Sequence, residues 1–491
     1  MQKERVPINI VGGDKQQRKE PSMTDKAVRI SILIKVAERE IEMQGELQIE
    51  ELEEGAQELG LEIGQQVLAA GIAEVDERLA REAPPGWRNV GTEERWVTTS
   101  LGAMRYRRRV YKDEKGQRRK PVDECMGIRR YARISQRVEE MGSYLASTES
   151  YRAAAAQLSW LLKTPVNHST IQRMSWAMGK RIADEEEAER QRVFTCGEEI
   201  PAGSVAAGVL YGESDGVWIH LQREKVRSAE VRVAILSSGR KQIGKDRYRL
   251  ENKHCITAIG LDSEAWQEEI LREAHLHYDL SQTHLLVSGG DGNQWVRHSF
   301  DRFAIRQEFI LDRFHLHRAA KRAFQDRVLA KWAFDQLRQH GLAIVCDELE
   351  KYIQQAEGKK KEHLQEFLTY LQNNQEGLLD LQSRGYDHPA CLGAIEGNVD
   401  KLVVHRMKGR GCSWRLPGVR AMLALCRHRE QLKAHAFHYC PVPSVAKKGR
   451  RSSFNLTVQY SEAVQKSMPI FHGPDQHKPW VRSLARFIHG H

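Results

Sequence analysis

Three carboxylates stand where an acid could do chemistry. Asp215 lies in Glu213-Ser214-Asp215-Gly216-Val217-Trp218, Asp291 in Gly289-Gly290-Asp291-Gly292, and Glu396 in Ala394-Ile395-Glu396-Gly397. Each is followed by glycine, which lets a ligand approach the backbone closely. Asp-Gly is also a common turn dipeptide, so each acid reads either as part of a turn or as a ligand holder. As oxygen donors the three suit a hard cation such as Mg²⁺ or Mn²⁺. Mg²⁺ keeps several waters and needs few carboxylates when phosphate oxygens complete its shell. Two such ions about 3.5–4 Å apart activate a nucleophile and stabilise the leaving oxygen of an in-line phosphoryl displacement. His-Glu-x-x-His, P-loop and Gly-x-Ser-x-Gly motifs do not occur, which counts against zinc protease, nucleotide hydrolase and serine hydrolase chemistry. The pairs His275/His277 and His315/His317 lack a cysteine or clustered acid to complete a zinc cage.

The elements that must position these acids follow from pattern. Residues 204–212 form an apolar run leading into Glu213–Leu221, and 254–260 is a second strand candidate. Residues 284–288 end in the Asp291 loop, and 309–311 end in Asp312-Arg313-Phe314-His315. Apolar strands interleaved with helical stretches predict a mixed α/β sheet, with acids at strand ends where such folds expose polar groups.

Upstream, 24–82 carries Leu52, Leu59, Ile63, Val67, Ile72, Val75 and Leu79 at helical spacings, ended by Ala83-Pro84-Pro85-Gly86. The stripe fits packing on its own chain or self-association. Residues 95–111 read as a β-hairpin about Leu101-Gly102-Ala103. Alternation puts Arg105, Arg107 and Arg109 on one face of its second strand, as a solvated face or a phosphate-contact surface. Ser150 is a candidate N-cap for a helix from Tyr151, broken at Lys163-Thr164-Pro165-Val166-Asn167, with a second helix starting near His168. The pair has the shape of a helix-turn-helix, whose groove-facing residues would be Ser169, Thr170, Gln172 and Arg173, or of an ordinary helical hairpin.

The 491 residues carry 76 Lys+Arg and 66 Asp+Glu, a net charge of +10. At ~150 residues per domain the length suggests about three domains. Apolar residues are 40% and charged residues 29%, too apolar for a disordered chain and too polar for a membrane protein. A charged start without a signal-peptide core, and eight scattered cysteines without a Cys-x-x-Cys pair, predict a reducing cytoplasm and no membrane partner. The positive balance permits a nucleic-acid partner.

In this order, Tyr151-Arg152-Ala153-Ala154-Ala155, the three acid motifs, Leu311-Asp312-Arg313-Phe314-His315 before the third of them, and Arg406-Met407-Lys408-Gly409-Arg410-Gly411-Cys412-Ser413-Trp414 resemble the bacterial ISLre-type insertion-sequence transposases, and more distantly the Mutator-type transposases. The resemblance runs from about residue 90 to Lys478-Pro479-Trp480. It implies a DDE transposase with a ribonuclease-H-like catalytic core. Asp215, Asp291 and Glu396 would hold Mg²⁺ or Mn²⁺ for cleavage and strand transfer at insertion-sequence ends. The long gap between Asp291 and Glu396 implies an all-α insertion at about 316–388. His315, in an Asp-x-x-His motif, would contact the scissile region or fix the local fold. Trp414 would hold a displaced base or pack in the core. Arg406, Lys408, Arg410 and Arg415 would contact the DNA backbone or form a charged surface.

The expected organisation is an N-terminal helical region (1–86), a DNA-binding region (87–192), the catalytic core (193–435) and a basic tail (436–491) with a basic loop at 447–451. The expected partners are double-stranded DNA, as terminal inverted repeats and target, and further copies of the chain. The location would be the cytoplasm, with the nucleoid. A non-catalytic helix-turn-helix protein, as a regulator or a decayed transposase, is the alternative.

Overall fold

The computed structural model describes residues 49–437 except 246, 388–390 and 410, with backbone alone at 338–340. The tail from 438, with its 447–451 loop, and residues 24–48 of the first expected helix lie outside the described residues.

Helix α1 (Ile49–Arg81) stops before the Pro84-Pro85 pair. Ile72 is buried, and Leu68, Ala69 and Leu79 pack with it against Val97, Met104, Tyr106 and Val122. This stretch of the stripe therefore serves its own chain. Strands β1 (Arg88–Thr99) and β2 (Gly102–Lys112) form the expected antiparallel hairpin. Met104, Tyr106, Arg108 and Val110 point inward, while Arg105 and Arg107 point out. β3 (Arg118–Arg119) pairs with β2, and α2 (Pro121–Cys125) follows.

Helices α3 (Gln136–Thr148), α4 (Tyr151–Leu162) and α5 (His168–Cys196) enclose Val138, Leu145, Leu158 and Ile171. The Ser150 hydroxyl accepts from Ala153 N (3.2 Å), as a cap should. Asn167 caps α5, its side chain accepting from Ser169 N at 3.0 Å. α5 is not short, as a helix-turn-helix pair would suggest. It runs 29 residues, crosses the 192–193 boundary and puts Met178, Ile182 and Ala183 into the core beyond.

That core is built on five strands. After β4 (Val205–Ala206) come β5 (Val209–His220), β6 (Ser228–Ser237), the ribbon β7 (Gly239–Gly244) and β8 (Arg247–Glu251), and β9 (His254–Ile259). Helix α6 (Ser263–His277), β10 (Tyr278–Asp279), β11 (Leu285–Gly290), α7 (Gln294–Arg297) and β12 (Arg306–Leu311) follow. The main sheet has the order β12-β11-β5-β6-β9. β5, β11 and β12 are parallel, and β6 is antiparallel to both its neighbours.

Helices α8 (Arg313–Phe324), α9 (Arg327–His340), α10 (Leu342–Gln355) and α11 (Gly358–Asn373) make the expected run of helices, with their own centre of Phe324, Leu349, Leu364 and Phe367. The chain returns through α12 (Ile395–Val399), a π-helical turn (Asp400–Val404) and α13 (His405–Met407). It then runs through α14 (Leu416–Arg427) and α15 (Arg429–Phe437).

Both faces of the sheet are covered. Val217, Ile219, Val231, Val233 and Ile235 meet α5, α12 and α14 on one side. Leu210, Ala234, Leu236 and Leu286 meet Trp266, Ile270 and Phe300 on the other. Among the described residues no helix is long and apolar enough to cross a membrane, and seven cysteines are free.

Candidate functional site

Register places the acids. Gly289 pairs with Glu213 and Gly290 with Leu311. Continued by two residues and one residue respectively, the parallel registers set Asp291 level with Asp215 on one side and Asp312 on the other. Side chains alternate along a strand, so all three lie on one face. Asp215 is not at a strand end, as expected, but inside β5. It is open toward β11 because the β5–β11 pairing stops at Gly289/Glu213.

The local chemistry fits this crowding. Gly216 N donates to Asp215 Oδ1 at 2.7 Å. Burial, then the negative charges of Asp291 and Asp312, raise the Asp215 pKa against the help of Gly216 and His315. Asp291 is braced by Asn293, whose backbone N–H (3.0 Å) and side-chain amide (2.6 Å) donate to its two oxygens. Tyr370 of α11 donates to the Asp291 carbonyl at 2.8 Å, tying the helical insertion to this loop. The glycines serve close approach. A Cβ on Gly290 would lie 2.1 Å from Val296, and Gly292 has φ +86° against Asn374.

Asp312 caps α8 through Phe314 N (2.8 Å) and pairs with His315 Nδ1 at 3.0 Å. That hydrogen bond lowers the Asp312 pKa. It raises the His315 pKa, with Asp291 and Asp215 adding to it. The imidazole is thus held beside a row of acids that favours its protonated form.

Glu396 sits in the first turn of α12, exposed, its side chain without a hydrogen bond or ion pair among the described residues. Its helix lies on the same face, since Ile395 packs with Val217 and Val233. The anchor is Glu213, two residues before Asp215 and 5% exposed. Its carboxylate accepts from Gly393 N (2.7 Å), Ala394 N (3.1 Å) and Ile395 N (3.4 Å). The last two are orphan donors of a helix start, and Gly393 N lies just before them. Burial raises the Glu213 pKa in spite of them. Sequence reasoning missed this role because the partners lie about 180 residues away. Glu213→Gln turns one acceptor into a donor facing donors. The expected cost is about 1–3 kcal/mol, read by chemical denaturation, with faster amide exchange at 393–395. An unchanged midpoint and unchanged exchange would remove Glu213 as the anchor.

Asp215, Asp291, Asp312 and His315 thus come together, with Glu396 on the helix above their face. Among the described residues no three His, Cys, Asp or Glu gather closely enough to cage a metal ion as they stand.

The residues read as DNA contacts fall into groups. Arg105 and Arg107 are exposed but face Glu94 at 3.7 and 3.2 Å, and Arg109 pairs with Asp76 at 2.6 Å. Acids therefore offset much of that cluster's charge. Ser169, Gln172 and Arg173 are exposed at the start of α5, and Thr170 is half-buried. Lys408 is exposed, and Arg410 lies outside the described residues. Arg406 does not face solvent. It is 7% exposed, gives its Nε to Ala146 O (2.5 Å) and stacks between Tyr151 and Trp414, 5.0 Å from each ring centre. Trp414 is buried too, its Nε1 donating to Met407 O at 2.9 Å. Sequence reasoning missed the β7–β8 ribbon, where Arg240, Lys241, Lys245, Arg247 and Arg249 are all exposed. The cue was five basic residues within ten positions.

The chain matches the model of the uncharacterised protein family UPF0236 over residues 42–432. It belongs to the UPF0236 family. A UPF0236 protein in the vanSb 3′ region of Streptococcus gallolyticus is 26% identical over 391 residues, covering 77% of this chain and 82% of the relative. A UPF0236 protein of Caldanaerobacter subterraneus subsp. tengcongensis is 24% identical over 390 residues, 77% of each chain. The name of that second UPF0236 protein joins eleven locus designations.

Proposed function

We propose that this UPF0236 protein is a DDE transposase of the ISLre type, cleaving and joining DNA at insertion-sequence ends in the bacterial cytoplasm. The observation that carries the reading is the level placement of Asp215 and Asp291 on adjacent parallel strands, with the Glu396 helix anchored by Glu213 over the same face. The strand order supports a ribonuclease-H-like core. Numbered within the sheet, it runs third, second, first, fourth, fifth, with the second strand antiparallel. Helices α8–α11 are then the insertion between the second acid and the Glu. Eleven loci for one relative fit a sequence that copies itself within a genome.

The donor set fits Mg²⁺ or Mn²⁺. Asp215 and Asp291 offer carboxylate oxygens, and burial together with the charges of Asp291 and Asp312 raises the Asp215 pKa, a crowding that a cation would relieve. Asp215, Asp291 and Glu396 would hold the cation. Bound there, it would lower the pKa of the attacking water or 3′-hydroxyl and offset charge on the leaving 3′-oxygen. His315, held by Asp312 through Nδ1, hydrogen-bonds the same phosphate and orients it. The start of α5, with Ser169, Thr170, Gln172 and Arg173, serves as the recognition helix of a helix-turn-helix. The β7–β8 ribbon and Lys408 contact the DNA backbone. Joining two ends requires at least two copies of the chain.

The test incubates the full chain with DNA carrying the element's terminal repeats. Strand cleavage is expected with Mg²⁺ or Mn²⁺ and none with a chelator. Salt-sensitive binding without cleavage under either metal would make the protein a non-catalytic DNA binder.

A further inference from the structure

A second site lies away from the acid row. A cleft of about 620 Å³ opens between α4, α5, the loop after β5 and the segment leading into α14. Arg173, Arg223, Arg406 and Arg415 line it, and no Asp or Glu does. Arg173, Arg223 and Arg415 are exposed and have no carboxylate partner among the described residues. Arg223 has φ +59°, a strained setting for a residue with a side chain.

The floor is built rather than incidental. Arg406 is 7% exposed, and its Nη2 is a buried donor with no hydrogen-bond partner among the described residues. A buried cation with an unmet N–H is costly unless an acceptor completes it. Trp414 has Arg406 over its ring and is not an open platform. Trp176, on the wall, is 45% exposed. The cleft thus combines an exposed aromatic side chain and three exposed guanidiniums over a floor where the buried Arg406 is held between two rings.

We infer that this cleft binds an unpaired nucleotide of a DNA strand, with its base on Trp176 and its phosphates on Arg223 and Arg415. Duplex DNA keeps its bases stacked inside and offers Trp176 nothing, whereas a single strand offers a π-face at every base. Leu221 and Gln222, where the strand hands over to Trp414 through Gln222 N to Trp414 O (2.8 Å), are six and seven residues beyond Asp215. At ~3.3 Å per residue that is about 20 Å, so the cleft is a holding site and not the place of cleavage. The inference rests on the DNA reading above but not on metal chemistry.

The experiment measures fluorescence anisotropy of a labelled single-stranded oligonucleotide, and of the same strand annealed to its complement, with the full chain in chelator. Trp176→Ala is expected to weaken single-strand binding about tenfold and leave duplex binding within twofold. Arg415→Ala should weaken the single strand in a salt-dependent manner. Since both residues are exposed, folding should survive, and circular dichroism checks it. Equal losses for single strand and duplex in Trp176→Ala, or no loss, would overturn the inference. So would equal competition by poly-glutamate, which would reduce the cleft to a charge sink. Saturation by a mononucleotide with no oligonucleotide binding would make the ligand a free nucleotide and overturn it too. Metal-dependent cleavage is scored separately. Cleavage with no Trp176 effect leaves the transposase reading standing, and a Trp176 effect without cleavage does the reverse.

Discussion

Asp215→Asn is expected to reduce metal-dependent DNA cleavage about a thousandfold or more, while DNA binding persists. Metal-held charge supplies several kcal/mol of transition-state stabilisation, and each ~1.4 kcal/mol is a factor of ten in rate. Asparagine matches the shape and keeps an oxygen for Gly216 N, so the fold should not suffer. Stability gives a second readout. Burial and the charge of Asp291 raise the folded-state pKa of Asp215, so the folded chain holds that proton more tightly than the unfolded one. This group's contribution therefore falls as pH rises from its unfolded pKa through its folded one. A divalent cation restores it above that window, by about 2.7 kcal/mol at a hundredfold excess over Kd. The wild type should gain thermal stability with Mg²⁺, more at neutral than at acid pH. Asp215→Asn should lose that gain and match or exceed the metal-free wild type. Full cleavage in both Asp215→Asn and Glu396→Gln would end the metal assignment.

What could be read from sequence, and what could not, divides along the range of the interaction. Ser150 as a cap, the hairpin turn at Leu101-Gly102 and the strands before Asp291 and Asp312 depend on a few neighbouring residues, and each stands where pattern put it. The face shared by Asp215, Asp291 and Asp312 depends on register between strands, which no local pattern carries. Strand β6 was missed because its Val231 and Val233 face one helix layer while Ala234 and Leu236 face the other. A strand buried on both sides loses its clear alternation. Charge was the least informative cue. Arg406 and Arg109 look alike in sequence, yet one is clamped between two aromatic rings and the other is paired with Asp76. Among the described residues, exposed arginines and lysines without an acid partner include those on the β7–β8 ribbon and around the Trp176 cleft.

Arg272→Met should cost the folded chain about 3–5 kcal/mol, the largest stability loss expected from one substitution here. Arg272 is 2% exposed and donates to Glu269 (2.9 Å), Glu273 (2.5 Å) and Glu189 (2.5 Å). Glu273 also meets His254 at 2.7 Å. Arg427 of α14 pairs with Glu186 of α5 and donates to the Thr257 carbonyl on β9 at 2.7 Å. These ions wrap the outer strand β9, joining α6 on one face of the sheet to α5 and α14 on the other, where an open edge would otherwise invite wrong pairing. Burial opposes the charge on Arg272, but Glu273 and Glu269 outweigh it and hold its pKa above the ordinary value. Methionine fills the volume and strands the carboxylates. In the variant those acids should bind protons more tightly than in the unfolded chain, so the deficit should be full at neutral pH and shrink as pH falls toward their raised pKa values. Adding Glu269→Gln should recover part of the loss, because residues in one network couple. Denaturation of the three chains at neutral and mildly acid pH measures this. A deficit below about 1 kcal/mol, or one indifferent to pH, would mean that packing rather than charge closes the β9 edge.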